Sequence, residues 1–394
     1  MPTDIHRYTD FLTQLVAAPS VSCAVPRWDM SNKAVIDLLA NWLADLEFRV
    51  EVMAINGHPG KYNLLATLGE GEGGLILAGH SDTVPYDENH WQSDPFALTH
   101  RDGKLFGLGA TDMKGFFPAV LEALRDINPK QLQQPIMVLA TADEESSMSG
   151  ARSLVEAGAP MARFAVVGEP TGLVPINMHK GILMEAIRVQ GKSGHSSNPL
   201  LGNNALEAMH EVMGALLTYR DTLQSRFQNP GFAVNVPTLN LGCVHGGDGA
   251  NRICGECELH FDLRSLPGMH NDELRLDIQN LLSPVAEKRG VDIVFSTLFE
   301  GVDSFYEPRD SELIRVAEQL TGHKAEAVGF ATEAPFFKAL GMQTVILGPG
   351  SINQAHQRDE FIDIAQIAPM VTILKGLIST FCFHKNPNAI GAQT

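Results

Sequence analysis

Hydrophobic and polar positions alternate in two different ways along this chain and divide it into two parts. Between residues 181 and 299 the pattern predicts strand, helix, strand, strand, helix, strand. Ile187 and Val189 alternate with polar neighbours. Ala205, Leu206, Met209, Val212, Met213, Leu216 and Leu217 then recur at helical spacing behind Asn203 and Asn204, the candidate caps. Leu239, Leu241 and Cys243 alternate again. From Glu256 to Arg264 the alternation is strict, with Cys257, Leu259, Phe261 and Leu263 on one face and Glu256, Glu258, His260, Asp262 and Arg264 on the other. Leu274, Ile278, Leu281 and Val285 mark a second helix, and residues 291–295 a last strand. A β-α-β-β-α-β order is that of a ferredoxin-like module.

The flanking portions read differently. Apolar runs at 75–78, 136–140 and Phe164–Val167 alternate with helical stretches at 115–124 and 150–156, and the alternation resumes at 311–320, 344–347 and 367–381. Uninterrupted apolar runs suit strands covered on both faces, so the fold class is α/β, a mixed sheet flanked by helices. The expected organisation is a discontinuous domain, 1–181 and 299–394, interrupted by the module at 182–298. GEGEGG at 69–74 reads as a strand-connecting turn, because its glutamates would repel phosphate. FLTQLVAAPSVS reads as an amphipathic helix ending before Pro19; Asp4 and Asp10 counter Arg7, so no positive leader region precedes it.

Composition narrows the partners. With 29 Lys+Arg against 46 Asp+Glu, a net charge of -17 disfavours nucleic acid. No uninterrupted apolar stretch approaches the roughly 18–20 residues of a membrane span. Five dispersed cysteines suit a reducing compartment, so the expected location is the cytoplasm. Cys254 and Cys257 form the one C-x-x-C; if the Glu256 strand reaches back to Cys254, the two sulfurs project to opposite faces, which argues against a metal or redox pair.

The chemistry lies in five separate blocks: His80 in HSDTVP, Asp112 in GATDMKG, Glu145 in DEESS, Glu169 in GEPT and His356 in NQAHQRDE. Three carboxylates and two imidazoles offset three of the four charges of two divalent cations, leaving the pair electrophilic enough to activate water. His80, Glu144, Glu145 and Glu169 fall at strand C-terminal ends, where open α/β sheets place their ligand sites, and Asp112 precedes a helix start. Asp82, two residues beyond His80, can accept the second imidazole N–H. Singly, each acid reads as a cap or a solvated group; together they read as a hydrolase site.

These blocks, with SGHSS, GGDGANRIC, TEAPFF and the late His356, resemble the M20 metallopeptidase/deacylase family over almost the whole chain. The resemblance implies two Zn2+ ions, with Co2+ able to substitute, bridged by Asp112. His80 and Glu169 would hold one ion, and Glu145 and His356 the other. It leaves Glu144 as general base and Asp82 as the partner of His80. It implies a lid and dimerisation role for the inserted module, a homodimer, and a catalytic His195 reaching into the partner's site. Asn251, Arg264, Thr332 and Gly348 become candidates for holding a substrate carboxylate, whereas Lys114 and His179 read as structural. The substrate implied is a small N-acyl amino acid, with N2-acetyl-L-ornithine favoured by the motif wording. Desuccinylase or dipeptidase chemistry is the alternative within the family, and a catalytically idle metal-binding protein the alternative outside it.

Overall fold

A computed structural model describes residues 3–87 and 90–383; the last residues of the expected 299–394 segment, 384–394, lie outside the described residues. Two compact units emerge. One comprises Met1–Asn177, Glu307–Glu326 and Thr332–Thr394, the other Met178–Tyr306 and Ala327–Ala331.

The first unit is built on a mixed sheet. Six of its strands are neighbours in the order Arg49–Ala54, Tyr62–Leu68, Ile136–Thr141, Leu75–His80, Phe164–Val167, Gln343–Ile346. The first two pair antiparallel, Tyr62–Leu68 also runs antiparallel to Ile136–Thr141, and the last four are mutually parallel. Ile136–Thr141, Leu75–His80 and Phe164–Val167 are buried along their whole length, which accounts for their unbroken apolar runs. Helices Ile5–Val16, Lys33–Asp45, Phe116–Leu124, Glu312–Thr321 and Ile367–Cys382 contribute to the core of this unit. Phe116–Leu124 is buried on every side. Ile364–Cys382 is long and apolar enough to cross a membrane by length and composition alone. It is a core helix, burying Ile367, Met370, Val371, Leu374, Leu377 and Ile378.

The parallel arrangement brings four strand C-termini to one edge. His80 ends Leu75–His80, Glu144 and Glu145 follow Ile136–Thr141, Glu169 follows Phe164–Val167 and Gly348 follows Gln343–Ile346. Gly348 is required by close approach: a Cβ there would lie 2.2 Å from the Gly168 carbonyl oxygen and 2.5 Å from that of Glu169.

The second unit holds a four-stranded antiparallel sheet in the order Thr238–Gly246, Glu256–Arg264, Ile182–Gln190, Asp292–Val302, with helices Ala205–Arg226 and Asn271–Arg289. That is the expected order of elements. Asn204 caps the first helix, accepting from Leu206 N and Glu207 N. Both boundaries differ from 182–298: the unit starts at Met178 and extends to Tyr306, because Asp292–Val302 continues past residue 298 and pairs with Ile182–Gln190 as far as Val302. The parity argument for the cysteines also fails. The chain leaves strand geometry between Arg252–Ile253 and Glu256–Arg264, so Cys254 and Cys257 are both buried in the same apolar cluster, and all five cysteines are free.

Candidate metal centre

Five expected ligands meet at the strand edge of the first unit. His80 is fully buried; its Nε2 lies 3.0 Å from Asp112 Oδ1 and 3.9 Å from Glu169 Oε1. His356 Nε2 approaches from a loop, 3.5 Å from Asp112 Oδ2 and 3.0 Å from Glu145 Oε2. The donors thus form two sets, His80/Asp112/Glu169 and Asp112/Glu145/His356, which share Asp112. Within each set the donor atoms lie inside 4.8 Å of one another. Two donors about 2.1 Å from one tetrahedral cation stand about 3.4 Å apart, so these spacings suit direct coordination. A further set, His80/Glu144/Glu145, places the Glu144 carboxylate beside the same donors.

The electrostatics describe a cradle with too many buried acids. Burial, then repulsion from Glu169, holds Glu144 well above the ordinary carboxylate range. Burial and the neighbouring Asp112 do the same to Glu169. Glu169 Oε1 is buried and has no hydrogen-bond partner among the described residues. Burial opposes the ionisation of Asp112, yet hydrogen bonds from His356 and His80 hold its carboxyl well below the usual range. The hydrogen bonds that His356 donates to Asp112 and Glu145 push it up to about 10. A pair of divalent cations would relieve this conflict, since it would favour the ionised acids and give the orphaned Glu169 oxygen a partner. The donor set of carboxylate oxygens and imidazoles suits zinc and related divalent ions.

Asp82 sits differently from expectation. His80 Nδ1 lies 3.1 Å from the Asp82 backbone carbonyl oxygen and 3.7 Å from its carboxylate. Asp82 Oδ2 instead accepts from Glu145 N at 3.1 Å. The backbone carbonyl therefore orients the imidazole, and the side chain anchors the turn that carries Glu145.

Other acids went unassigned. Asp143, buried and left-handed at φ 58°, ion-pairs with buried Lys61 at 2.6 Å and takes hydrogen bonds from Ser22 and Ser149. Glu333 is fully buried and accepts from Thr141 Oγ1 at 2.8 Å; burial pushes it up to about 7. Glu360 accepts three backbone N–H groups of the Asp112 loop. Asp143, Glu333 and Glu360 stand inside the blocks DEESS, TEAPFF and NQAHQRDE, and that shared location was the available signal.

Thr332 lies buried at the start of helix Ala334–Ala339, its Oγ1 accepting from Ala334 N, and Gly348 packs on the Gly168–Glu169 backbone. Both belong to the unit that holds the candidate ligands. Lys114 is buried, donates to the Leu15 and Ala18 carbonyls at 3.0 and 2.8 Å, and burial brings it down to about 7. In the second unit, Gly194–His195 pairs with Arg252–Ile253, and Ser196 N donates to the Asn251 carbonyl, bringing His195 and Asn251 together at a small two-stranded sheet. His195 is exposed, and its Nδ1 lies 2.7 Å from Ser197 Oγ and 3.2 Å from Ser197 N. Arg264 Nε donates to Asp262 at 3.0 Å, an ion pair along its own strand. His179 is buried, with Nδ1 2.8 Å from the Lys180 carbonyl.

The chain is 50% identical over 382 residues to acetylornithine deacetylase of Proteus mirabilis (strain HI4320), covering 97% of each. It is 48% identical over 384 residues to that of Pectobacterium atrosepticum, covering 98% of this chain and all of the relative, 100%. The fold is similar to a crystal structure of a tripeptidase from Staphylococcus aureus, with TM-score 0.74 at 20% identity, covering 96% of this chain and 99% of that one. Residues 76–380, which include all five candidate ligands, match peptidase family M20/M25/M40. The chain belongs to that family.

Proposed function

We propose that this protein hydrolyses N2-acetyl-L-ornithine to L-ornithine and acetate. The observation that carries the chemistry is the pair of donor sets sharing Asp112, with the Glu144 carboxylate beside them and outside both sets. The near-complete, 50% identical acetylornithine deacetylase supports the substrate. His80 and Glu169 would hold one divalent cation and Glu145 and His356 the other, with Asp112 common to both donor sets. Two Zn2+ ions, for which Co2+ can substitute, supply Lewis-acid activation when bound.

The chain's own residues move the proton. Glu144 takes it from the water that attacks the amide carbon and delivers it to the departing nitrogen as the C–N bond breaks, giving acetate and a free α-amine. His195 stabilises the developing oxyanion in the partner subunit of a homodimer. Asn251, Arg264, Thr332 and Gly348 are the proposed contacts of the substrate α-carboxylate. Five free cysteines support a cytoplasmic setting.

Metal analysis of the purified protein, paired with assays of acetate, succinate and free amino acid release from a substrate panel, tests this reading. Acetate release from N2-acetyl-L-ornithine with two ions bound is the expected result. Predominant succinate release or dipeptide cleavage would replace the substrate. Bound metal without any turnover would leave an idle binding protein.

A further inference from the structure

The ligand-bearing loops are far apart in sequence, and one side chain ties two of them together. Glu360, four residues past His356 and 1% exposed, turns its carboxylate into the loop that carries Asp112. Its Oε1 accepts from Thr111 N at 2.7 Å and from Asp112 N at 2.9 Å, and its Oε2 from Gly109 N at 2.9 Å. The surrounding backbone reinforces the link. Gly107 N donates to the Glu360 carbonyl at 3.0 Å, Thr111 Oγ1 donates to the Phe361 carbonyl, and Phe361–Asp363 pairs with Lys104–Phe106. Residues 109–112 form a turn rather than a helix or strand, so no regular ladder satisfies these three N–H groups, and all are buried.

We propose that Glu360 is the positioning residue for the shared ligand Asp112: it clamps the Asp112 loop to the segment that carries His356, so that both cation positions are formed together. The inference rests on the metal-centre reading above. It differs from a packing role in what it controls. Because Asp112 belongs to both donor sets, a loosened loop weakens both positions at once, whereas loss of a ligand private to one set weakens one.

Substitution by glutamine keeps the volume but puts an NH2 group, which accepts nothing, against at least one of the three N–H donors. Alanine removes all three acceptors. Cobalt titration followed by its visible absorption should show both positions of Glu360→Gln weakened together by about 10–100-fold, and those of Glu360→Ala weakened further. Wild-type affinity at both positions in a folded Glu360→Gln protein overturns the proposal. Hydrogen exchange on the cation-free wild type gives a test that needs no variant. Slow exchange at the Gly109, Thr111 and Asp112 amides is expected, and exchange as fast as at exposed turns overturns the clamp. Failure of the wild type to take up cobalt counts against the metal-centre reading instead, so the two failures are distinguishable.

Discussion

His356 and Glu145 lie 211 residues apart in sequence and meet at 3.0 Å. Neither is part of a strand or helix: Glu145 follows Ile136–Thr141 in a turn, and His356 sits in a loop at φ 57°, a backbone region that non-glycine residues adopt at a cost. Such contacts persist where the surrounding structure over-determines them. Here the parallel strands fix one side, and the Glu360 contacts fix the other.

Glu144 carries the proton and, in the proposed arrangement, no cation. Glu144→Gln should therefore lower kcat by about 10²–10⁴-fold. Inductively coupled plasma analysis should still find two ions per chain; loss of metal equal to the loss of turnover would move Glu144 into the ligand set.

If His195 acts across a dimer, two dead proteins can make a live one. Mixing Glu144→Gln subunits with His195→Ala subunits should restore turnover, because each heterodimer carries one site with both groups intact. The check is activity of heterodimers isolated by differential tags. No recovery in verified heterodimers removes His195 from the partner's site.

Lys61 is 4% exposed and reaches both Asp143, at 2.6 Å, and Asp29, at 2.7 Å. Lys61→Met would leave Asp143 buried without its cation, a loss of about 3–5 kcal/mol. Thermal melts should show a lower midpoint. Because Asp143 opens the turn that holds Glu144, kcat should fall more than KM rises; an unchanged melting curve would mean that the pair contributes nothing.

His179 gives a pH signature. Burial holds its pKa down at about 4, against an ordinary value of 6.5. Above 6.5 the ring is neutral in both folded and unfolded chains. Below it the unfolded chain takes up the proton first, so this contribution to stability is lost as pH falls from 6.5 through 4, by about 3 kcal/mol in total. Urea unfolding of wild type and His179→Gln at pH 7 and pH 4 should show the gap between them shifting in favour of the variant at low pH. A gap independent of pH would mean that the ring is not buried neutral.

The gathering of the candidate ligands was legible because strand edges announce themselves. An apolar run that stops at His80 or Thr141 and hands over to an acid places that acid at the sheet's carboxyl edge. The inserted module was legible for a similar reason, since period-two and helical spacings alternate cleanly from Ile182 to Val285. What stayed hidden depends on backbone groups. The three N–H donors to Glu360 lie 248–251 residues away and leave no periodic trace. The same limit misplaced Asp82: sequence spacing put it beside His80, but the choice between its carbonyl and its carboxylate depends on the turn at Glu145. Cys254 was misjudged because parity holds along a continuous strand, and the strand breaks at Gly255.

The two halves of the centre face water unequally. His80 is 1% exposed at its side chain, and His356 is 54% exposed. A chelator therefore meets an open doorway on one side and a sealed wall on the other. Stripping should pass through a half-loaded protein that has given up the ion on the His356 side, and reloading should finish where stripping began.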